Sequence, residues 1–196
     1  MGPIHVTMFK GLLPRNGTSA DFTSLSCTSE RLRLVPATKE FSEQIFQEFT
    51  TEVTEYMTPT PCKDRAGVDA NLELFASQRE KGLELVFAIL RKDTGEFLGC
   101  CGIHTNEHTQ RTPSIGLWVK KSAHGHRYGR EAMHALVTFA QEHFDVNGFT
   151  YEVDHRNVAS VKIAQSLGGT VIAEKRVMSM SGKELEELVF AIPLQR

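Results

Sequence analysis

Two apolar runs, Leu83–Leu90 and Phe97–His104, lie on either side of Asp93-Thr94-Gly95-Glu96. That tetrapeptide is a hairpin turn, because Gly95 tolerates the positive φ that tight turns demand. The runs therefore pair antiparallel. A third strand, Ser114–Lys120, follows after the polar connection Thr105–Thr112, with no helical pattern between. Hairpin-linked strands of this kind do not fit a doubly wound parallel sheet, so the chain is expected to build a mixed sheet with helices on its faces.

The rest of the chain extends that pattern. Leu32 and Leu34 alternate with Arg31 and Arg33, as in a half-buried strand. Phe41, Ile45, Phe46 and Phe49 recur at helical spacing, and a second helix is marked by Val68, Leu72 and Phe75. Met133, Leu136, Val137, Ala140 and Phe144 form one stripe on a longer helix that begins near Gly129. Phe149, Tyr151 and Val153 alternate as a strand, and Asn157–Leu167 is a helix stopped by Gly168-Gly169. Val171–Val177 and Leu185–Leu194 close the chain as a strand pair turning at Ser181-Gly182-Lys183. The resulting order, β-α-α-β-β-β-α-β-α-β-β, places the fold in the α/β (α+β) class.

The 196 residues suffice for one domain with a full core. Residues 1–28, rich in Gly, Thr, Ser and Pro, are expected to be a flexible extension, with the domain spanning 29–196. A formal charge of −2 argues against a strongly basic nucleic-acid binder. No apolar run approaches the roughly 20 residues of a membrane helix. The four cysteines, Cys27, Cys62, Cys100 and Cys101, lack metal-ligand spacing, and reduced thiols fit a cytoplasmic protein with no metal.

The chemistry concentrates in HGHRYGREA, His124–Ala132. A strand ends, a short loop follows and a helix starts. The first N–H groups of that helix have no intrahelical partner and carry the positive end of its dipole, which suits an anion. Gly125 and Gly129 would let a pyrophosphate approach the backbone, with His126, Arg127 and Arg130 adding cationic reach. The P-loop pattern G-x-x-x-x-G-K-[ST] is absent, and HGHRYG is not G-x-G-x-x-G.

HGHRYGREAMHALVTFA, followed by VDHRNVASVKIAQSLGG, resembles the acetyl-CoA signature of the GNAT N-acetyltransferase superfamily, most closely its RimJ/RimL branch. The resemblance runs from about Ser29 to the C-terminus and takes in SERLRLVPAT, FAILRKDTGEFLGCCGI and SIGLWV. It implies the GNAT fold: a mostly antiparallel twisted sheet of about seven strands with four helices. It also implies transfer of an acetyl group from acetyl-CoA to a primary amine, either a protein N-terminus, such as that of a ribosomal protein, or a small amine. Partners in nucleic acid or membrane are not implied; a homodimer is compatible with the sheet edges of the class. A non-catalytic acyl-CoA-binding domain is the alternative.

The same resemblance implies the site. Leu117, Trp118, Val119 and Lys120 would hold the pantetheine arm through their backbone, with the Val119 N–H facing the thioester oxygen. The loop His124, Gly125, His126, Arg127, Tyr128, Gly129 and Arg130 would hold the pyrophosphate. Arg127 stands where the family has glycine, and is expected at an ordinary φ. Ala164 stands at the family's tyrosine acid, so Asn157 and Ser160 are implied instead: Asn157 for the pantetheine amide, Ser160 for the sulfur. Lys162 matches a basic position near the phosphates. The second glycine of LGG stands where the family often has an aromatic. For the general base, Glu152 is assigned beside Asp154, His104, Glu107 and Glu174, which stay open. Acceptor selection is implied for Glu52–Ala66 and the last hairpin.

Overall fold

The computed structural model describes residues 11–15, 21–106 and 108–195. Among these, eight strands form one sheet in the order β1-β2-β3-β4-β5-β6-β8-β7. They are β1 (Cys27–Thr28), β2 (Leu32–Pro36), β3 (Glu84–Arg91), β4 (Phe97–His104), β5 (Ser114–Val119), β6 (Phe149–Asp154), β7 (Thr170–Met178) and β8 (Glu184–Ile192). Four α-helices interleave with them: α1 (Ser42–Glu48), α2 (Arg65–Glu80), α3 (Tyr128–His143) and α4 (Val158–Ser166). The class and element order read from the sequence hold. The extra strand is β1, too short at two residues to leave a periodic signal.

Every neighbouring pair in the sheet is antiparallel except β5 and β6. Helices cover both faces, because alternate residues of the buried strands point to opposite sides and both sides are apolar. On the face of α3 and α4, Phe87, Leu98, Ile103, Met133 and Leu136 pack into the larger core. On the face of α1 and α2, Phe41, Leu72, Val86 and Phe97 form the smaller one. Cys100 and Cys101 illustrate the alternation, one in each core. All four thiols are free.

β4 approaches β5 closely at Gly99, which has φ 149°; a Cβ there would lie 2.2 Å from the Trp118 carbonyl oxygen. Only glycine fits that approach, and it fixes the course of β5 just before the loop His124–Arg130. At the end of α4, a Cβ on Gly169 would lie 2.6 Å from Ile192 Cδ1 and 2.8 Å from the Ala164 carbonyl oxygen. Ile192 and the Ala164 carbonyl thus leave no room for a side chain at the position where the family often has an aromatic.

The flexible extension expected for residues 1–28 requires correction for the part described. Leu12 is fully buried and Phe22 is 4% exposed. The Leu12 N–H donates to the Gly82 carbonyl (2.7 Å), and Phe22 stacks on Phe144 with ring centroids 5.9 Å apart. The buried Arg79 guanidinium donates to the Phe22 carbonyl at 3.1 Å. Sequence reading missed this because two isolated apolar residues carry no periodicity. Residues 1–10 and 16–20 lie outside the described residues.

Removing residues 1–25 exposes the surface that Leu12 and Phe22 cover. Each such burial contributes about 1.5–3 kcal/mol, and in a chain of this size one kcal/mol corresponds to about 2–4 °C. Thermal unfolding of the truncated protein should therefore show a melting temperature lower by about 6 °C or more. An unchanged value would mean that the segment adds nothing to the fold.

Candidate active site

β5 and β6 share one paired position, Ser114 opposite Thr150. Beyond it the two strands diverge, and a slot opens through the sheet. The α4 side of the slot is lined by Leu117, Asn157 and Ser160. The α1–α2 side is lined by Tyr56, Thr58, Glu152 and Glu187, around a cavity of about 190 Å³. A second, larger groove of about 560 Å³ continues from the same Leu117, Asn157 and Ser160 along the start of α3.

Backbone direction follows from the pairing. The Lys120 N–H donates to the Leu98 carbonyl of β4 at 2.7 Å. Successive N–H groups of an extended strand point to opposite sides, so the Val119 N–H faces away from β4, into the slot. The Val119 carbonyl points the same way, where it lies 2.8 Å from His124 Nε2.

α3 begins at the expected loop. A short 3₁₀ turn, Lys121–Ala123, leads to His124 and Gly125, and Arg127 precedes the first helical residue. Arg127 has φ 63°, ψ 17°, in the left-handed region. The ordinary φ expected for it is thus incorrect: the position demands what glycine supplies freely, and arginine accepts a cost of about 1–2 kcal/mol. The loop is braced from outside by Arg31, whose guanidinium donates to the His126 carbonyl at 3.2 Å and lies 4.7 Å from the Tyr128 ring centroid. His126 stacks on Tyr128 at 5.5 Å.

Of the expected cofactor residues, the larger groove gathers Leu117, Trp118, Val119, His124, Gly125, Arg127, Tyr128, Gly129, Arg130, Asn157, Ser160 and Lys162. Two stand apart. The Lys120 N–H, expected to serve the pantetheine, is donated to β4 at Leu98, and its side chain turns back to Glu96, with Nζ 3.0 Å from its carboxylate. His126 remains on the outer side of the loop, against Tyr128. Asn157 caps α4 by accepting the Ser160 N–H on Oδ1 at 3.1 Å, which leaves Nδ2 as its donor toward the groove.

Residues 31–170 match the Acetyltransferase (GNAT) domain family. The chain belongs to the GNAT acetyltransferases. The acetyl donor of such an enzyme is acetyl-CoA. The chain is 26% identical over 140 residues to the uncharacterized N-acetyltransferase p20 of Bacillus licheniformis, covering 71% of this chain and 79% of that one. Its fold is similar to that of the Salmonella typhimurium acetyltransferase that modifies the N-terminal serine of 50S ribosomal subunit protein L7/L12. For that pair the TM-score is 0.73 and the identity 17%, over 85% of this chain and 97% of that one. The Microcin C7 self-immunity acetyltransferase MccE, solved with acetyl-CoA and AMP, gives a TM-score of 0.74 at 14% identity, over 84% and 93% of the two chains.

In this GNAT enzyme the open question of the base narrows. Asp154 is buried against Arg156, whose guanidinium donates to both carboxylate oxygens (2.8 and 2.6 Å) and holds its carboxyl down at about 2. Asp154 also accepts the backbone N–H groups of Arg156 and Glu186, so it organises the turn after β6. His104 pairs with Glu84 at 2.7 Å across the β3–β4 hairpin. Glu174 is exposed on β7, and Glu107 lies outside the described residues. Glu152 reaches the slot and lies 2.7 Å from Lys175 Nζ.

Two slot residues went unread in the sequence. Tyr151 is buried at the slot, and burial pushes its phenol up to about 12, with the neighbouring Ser160 hydroxyl offsetting part of that rise. Glu187, 7% exposed, lies 3.4 Å from the Thr58 hydroxyl and 3.3 Å from Lys175 Nζ. Strand alternation assigned Tyr151 only to the core, and Glu187 is one of three glutamates in β8, so neither stood out. No group of residues suited to a metal ion is present among the described residues.

The strain at Arg127 is measurable. Arg127→Gly removes the left-handed cost and adds about 0.5–1 kcal/mol of unfolded-state freedom. The net gain of up to about 1 kcal/mol should raise the melting temperature by about 1–3 °C. A fall would mean that the arginine side chain contributes more than its backbone costs.

Proposed function

We propose that the enzyme acetylates a primary amine, either a protein N-terminal α-amine or a small amine, by direct attack on the thioester in the slot between β5 and β6. The observation that carries this reading is the single paired position of β5 and β6 beneath the N-terminus of a long helix. It places a through-sheet opening beside an anion-binding loop. Acetyl-CoA would enter from the α4 side and the amine from the α1–α2 side.

Each step then has a group. The orphan N–H groups of α3, with Arg127, Arg130 and Lys162, would hold the phosphates. The backbone of Leu117 to Val119 would hold the pantetheine arm, aided by Asn157. The Val119 N–H, aimed into the slot, would stabilise the developing oxyanion; a preorganised donor of this kind is worth roughly 10²–10³ in rate. Ser160 would hydrogen-bond the sulfur and protonate it as it leaves, with Tyr151, kept neutral by burial, behind it. Glu152 and Glu187 put negative charge on the acceptor side, which attracts a protonated amine. Lys183 and Arg156 flank Tyr56, 4.9 and 5.8 Å from its ring centroid, and the Met180 N–H donates to the Thr58 carbonyl at 2.8 Å. The α1–α2 connection and the last hairpin thus meet at the acceptor entrance, and the choice of amine is assigned to them.

The exposed edge strand β7, with Val171 and Ile172 47% and 61% exposed, is where a homodimer would form. Four free thiols fit a cytoplasmic site of action. No helix among the described residues is long and apolar enough to cross a membrane.

Calorimetric titration with acetyl-CoA, with ATP and NAD as controls, tests the cofactor half of the proposal. Gly129→Val should weaken acetyl-CoA binding by about tenfold or more, about 1.4 kcal/mol. A Cβ at that position already meets Leu117 Cδ1 at 3.0 Å and Val119 Cγ2 at 3.4 Å. Equal affinity would remove the loop from the binding site. Ser160→Ala should lower kcat by about 10²-fold with the affinity for acetyl-CoA kept within a factor of about three; an unaffected rate would make Ser160 a structural residue of α4.

A further inference from the structure

We infer that Glu187, on β8, is the carboxylate that receives the acceptor amine and takes its proton. The inference rests on the acetylation reading above and assigns the group which that reading leaves open.

Strand alternation divides the slot by face. Tyr151 and Val153 of β6, with Leu188 and Phe190 of β8, belong to the core under α3 and α4. Glu152 and Glu187 therefore project to the opposite face, beneath the α1–α2 connection. This agrees with the contact between Glu187 Oε1 and the Thr58 hydroxyl. Ser160 serves the sulfur from one face, and a group that deprotonates the nucleophile must stand on the other. Of the three carboxylates there, Asp154 is held by Arg156; the Glu152 side chain is 43% exposed and bound to Lys175 at 2.7 Å, whereas the Glu187 side chain is 8% exposed and further from the same ammonium, at 3.3 Å. Glu187 is thus shielded from water and less neutralised, and its second oxygen meets only a neutral hydroxyl.

The charged groups around Glu187 come from three elements. Lys175 faces it from β7. Glu152 and Asp154 face it from β6, and Asp154 is neutralised by Arg156. On β8 itself, Glu186 pairs with His155 at 3.1 Å and with Arg176 at 3.5 Å. Lys175 Nζ lies 3.3 Å from Glu187; as a carboxylate, Glu187 attracts the ammonium, which gives up one proton to solvent and attacks as the neutral amine. As the amine nitrogen bonds to the thioester carbon, its N–H proton passes to Glu187. As the carbon–sulfur bond breaks, sulfur takes a proton from Ser160; once the product has left the slot, Glu187 gives its proton up to solvent and Ser160 takes one back.

The test uses the full chain, acetyl-CoA and a tripeptide amide with a free N-terminal serine. Glu187→Gln preserves shape and removes the charge. At pH 7 it should lower kcat by about 10²-fold and weaken calorimetric binding of the tripeptide to the coenzyme A complex, with acetyl-CoA affinity unchanged. Because a terminal amine has a pKa of about 8, the deficit should shrink at least threefold between pH 7 and pH 9. Glu187→Asp should keep the wild-type form of the pH profile at a lower rate. A deficit equal at every pH, or a rate within twofold of wild type, overturns the inference. If Glu187→Gln fails to fold, the profile of Glu187→Asp decides alone, and one shaped unlike the wild type overturns the inference. If the wild type binds acetyl-CoA but leaves the tripeptide unmodified, slow hydrolysis of acetyl-CoA is read instead, with the same loss expected in Glu187→Gln. Wild-type protein that does not bind acetyl-CoA counts against the acetylation reading and not against Glu187 specifically.

Discussion

Among the described residues, β5 and β6 are the only parallel neighbours in the sheet, and they share one paired position before they part. Two strands that continued side by side would satisfy one another's backbone groups and close the sheet. Here the N–H and carbonyl of Val119 are turned toward the gap. His124 Nε2 meets that carbonyl, whereas a backbone donor held this way is costly unless something pairs with it, and a pantetheine arm carrying amides would complement it. Under the proposed function the same parting would divide a thioester side from an acceptor side.

The parting also sets where the phosphate loop sits. β5 ends at Val119, and α3 starts at Tyr128 after a single short turn, so the helix N-terminus lies at the mouth of the gap. Gly99 lets β4 hold β5 tightly on its other edge, which keeps the gap open on one side only. Arg31, from β2's approach, braces the loop through the His126 carbonyl and the Tyr128 ring. The loop tolerates a left-handed arginine because its surroundings over-determine its course.

Lys175 links the chemistry to the last hairpin. It bridges Glu152 and Glu187 across three strands, and Thr58 ties Glu187 to the α1–α2 connection. Residues far apart in the chain thus converge on one carboxylate. Tyr56, whose ring is flanked by two cations, stands beside that convergence, and under the proposed function these residues would choose the acceptor.

Local pattern sufficed for the element order, both core faces and the loop His124–Arg130, because hydrophobic period, turn glycines and helix starts are written within a few residues of one another. The same holds for Asn157 and Ser160, which share one helix turn. Other features required the folded chain. Arg127 takes a positive φ at the N-cap of α3, where the sequence shows no glycine to signal it. Leu12 and Phe22 are buried by partners more than fifty residues away. Lys120 is drawn from the expected site to Glu96, and His126 to the outside of the loop. Tyr151 and Glu187 gain their positions from the gap itself, which arises from the pairing of whole strands. Sequence alone determined which elements form and where the glycine- and arginine-bearing loop lies; tertiary structure decided which carboxylates line the slot, because a side chain's burial and neighbours are set by contacts that no local pattern encodes.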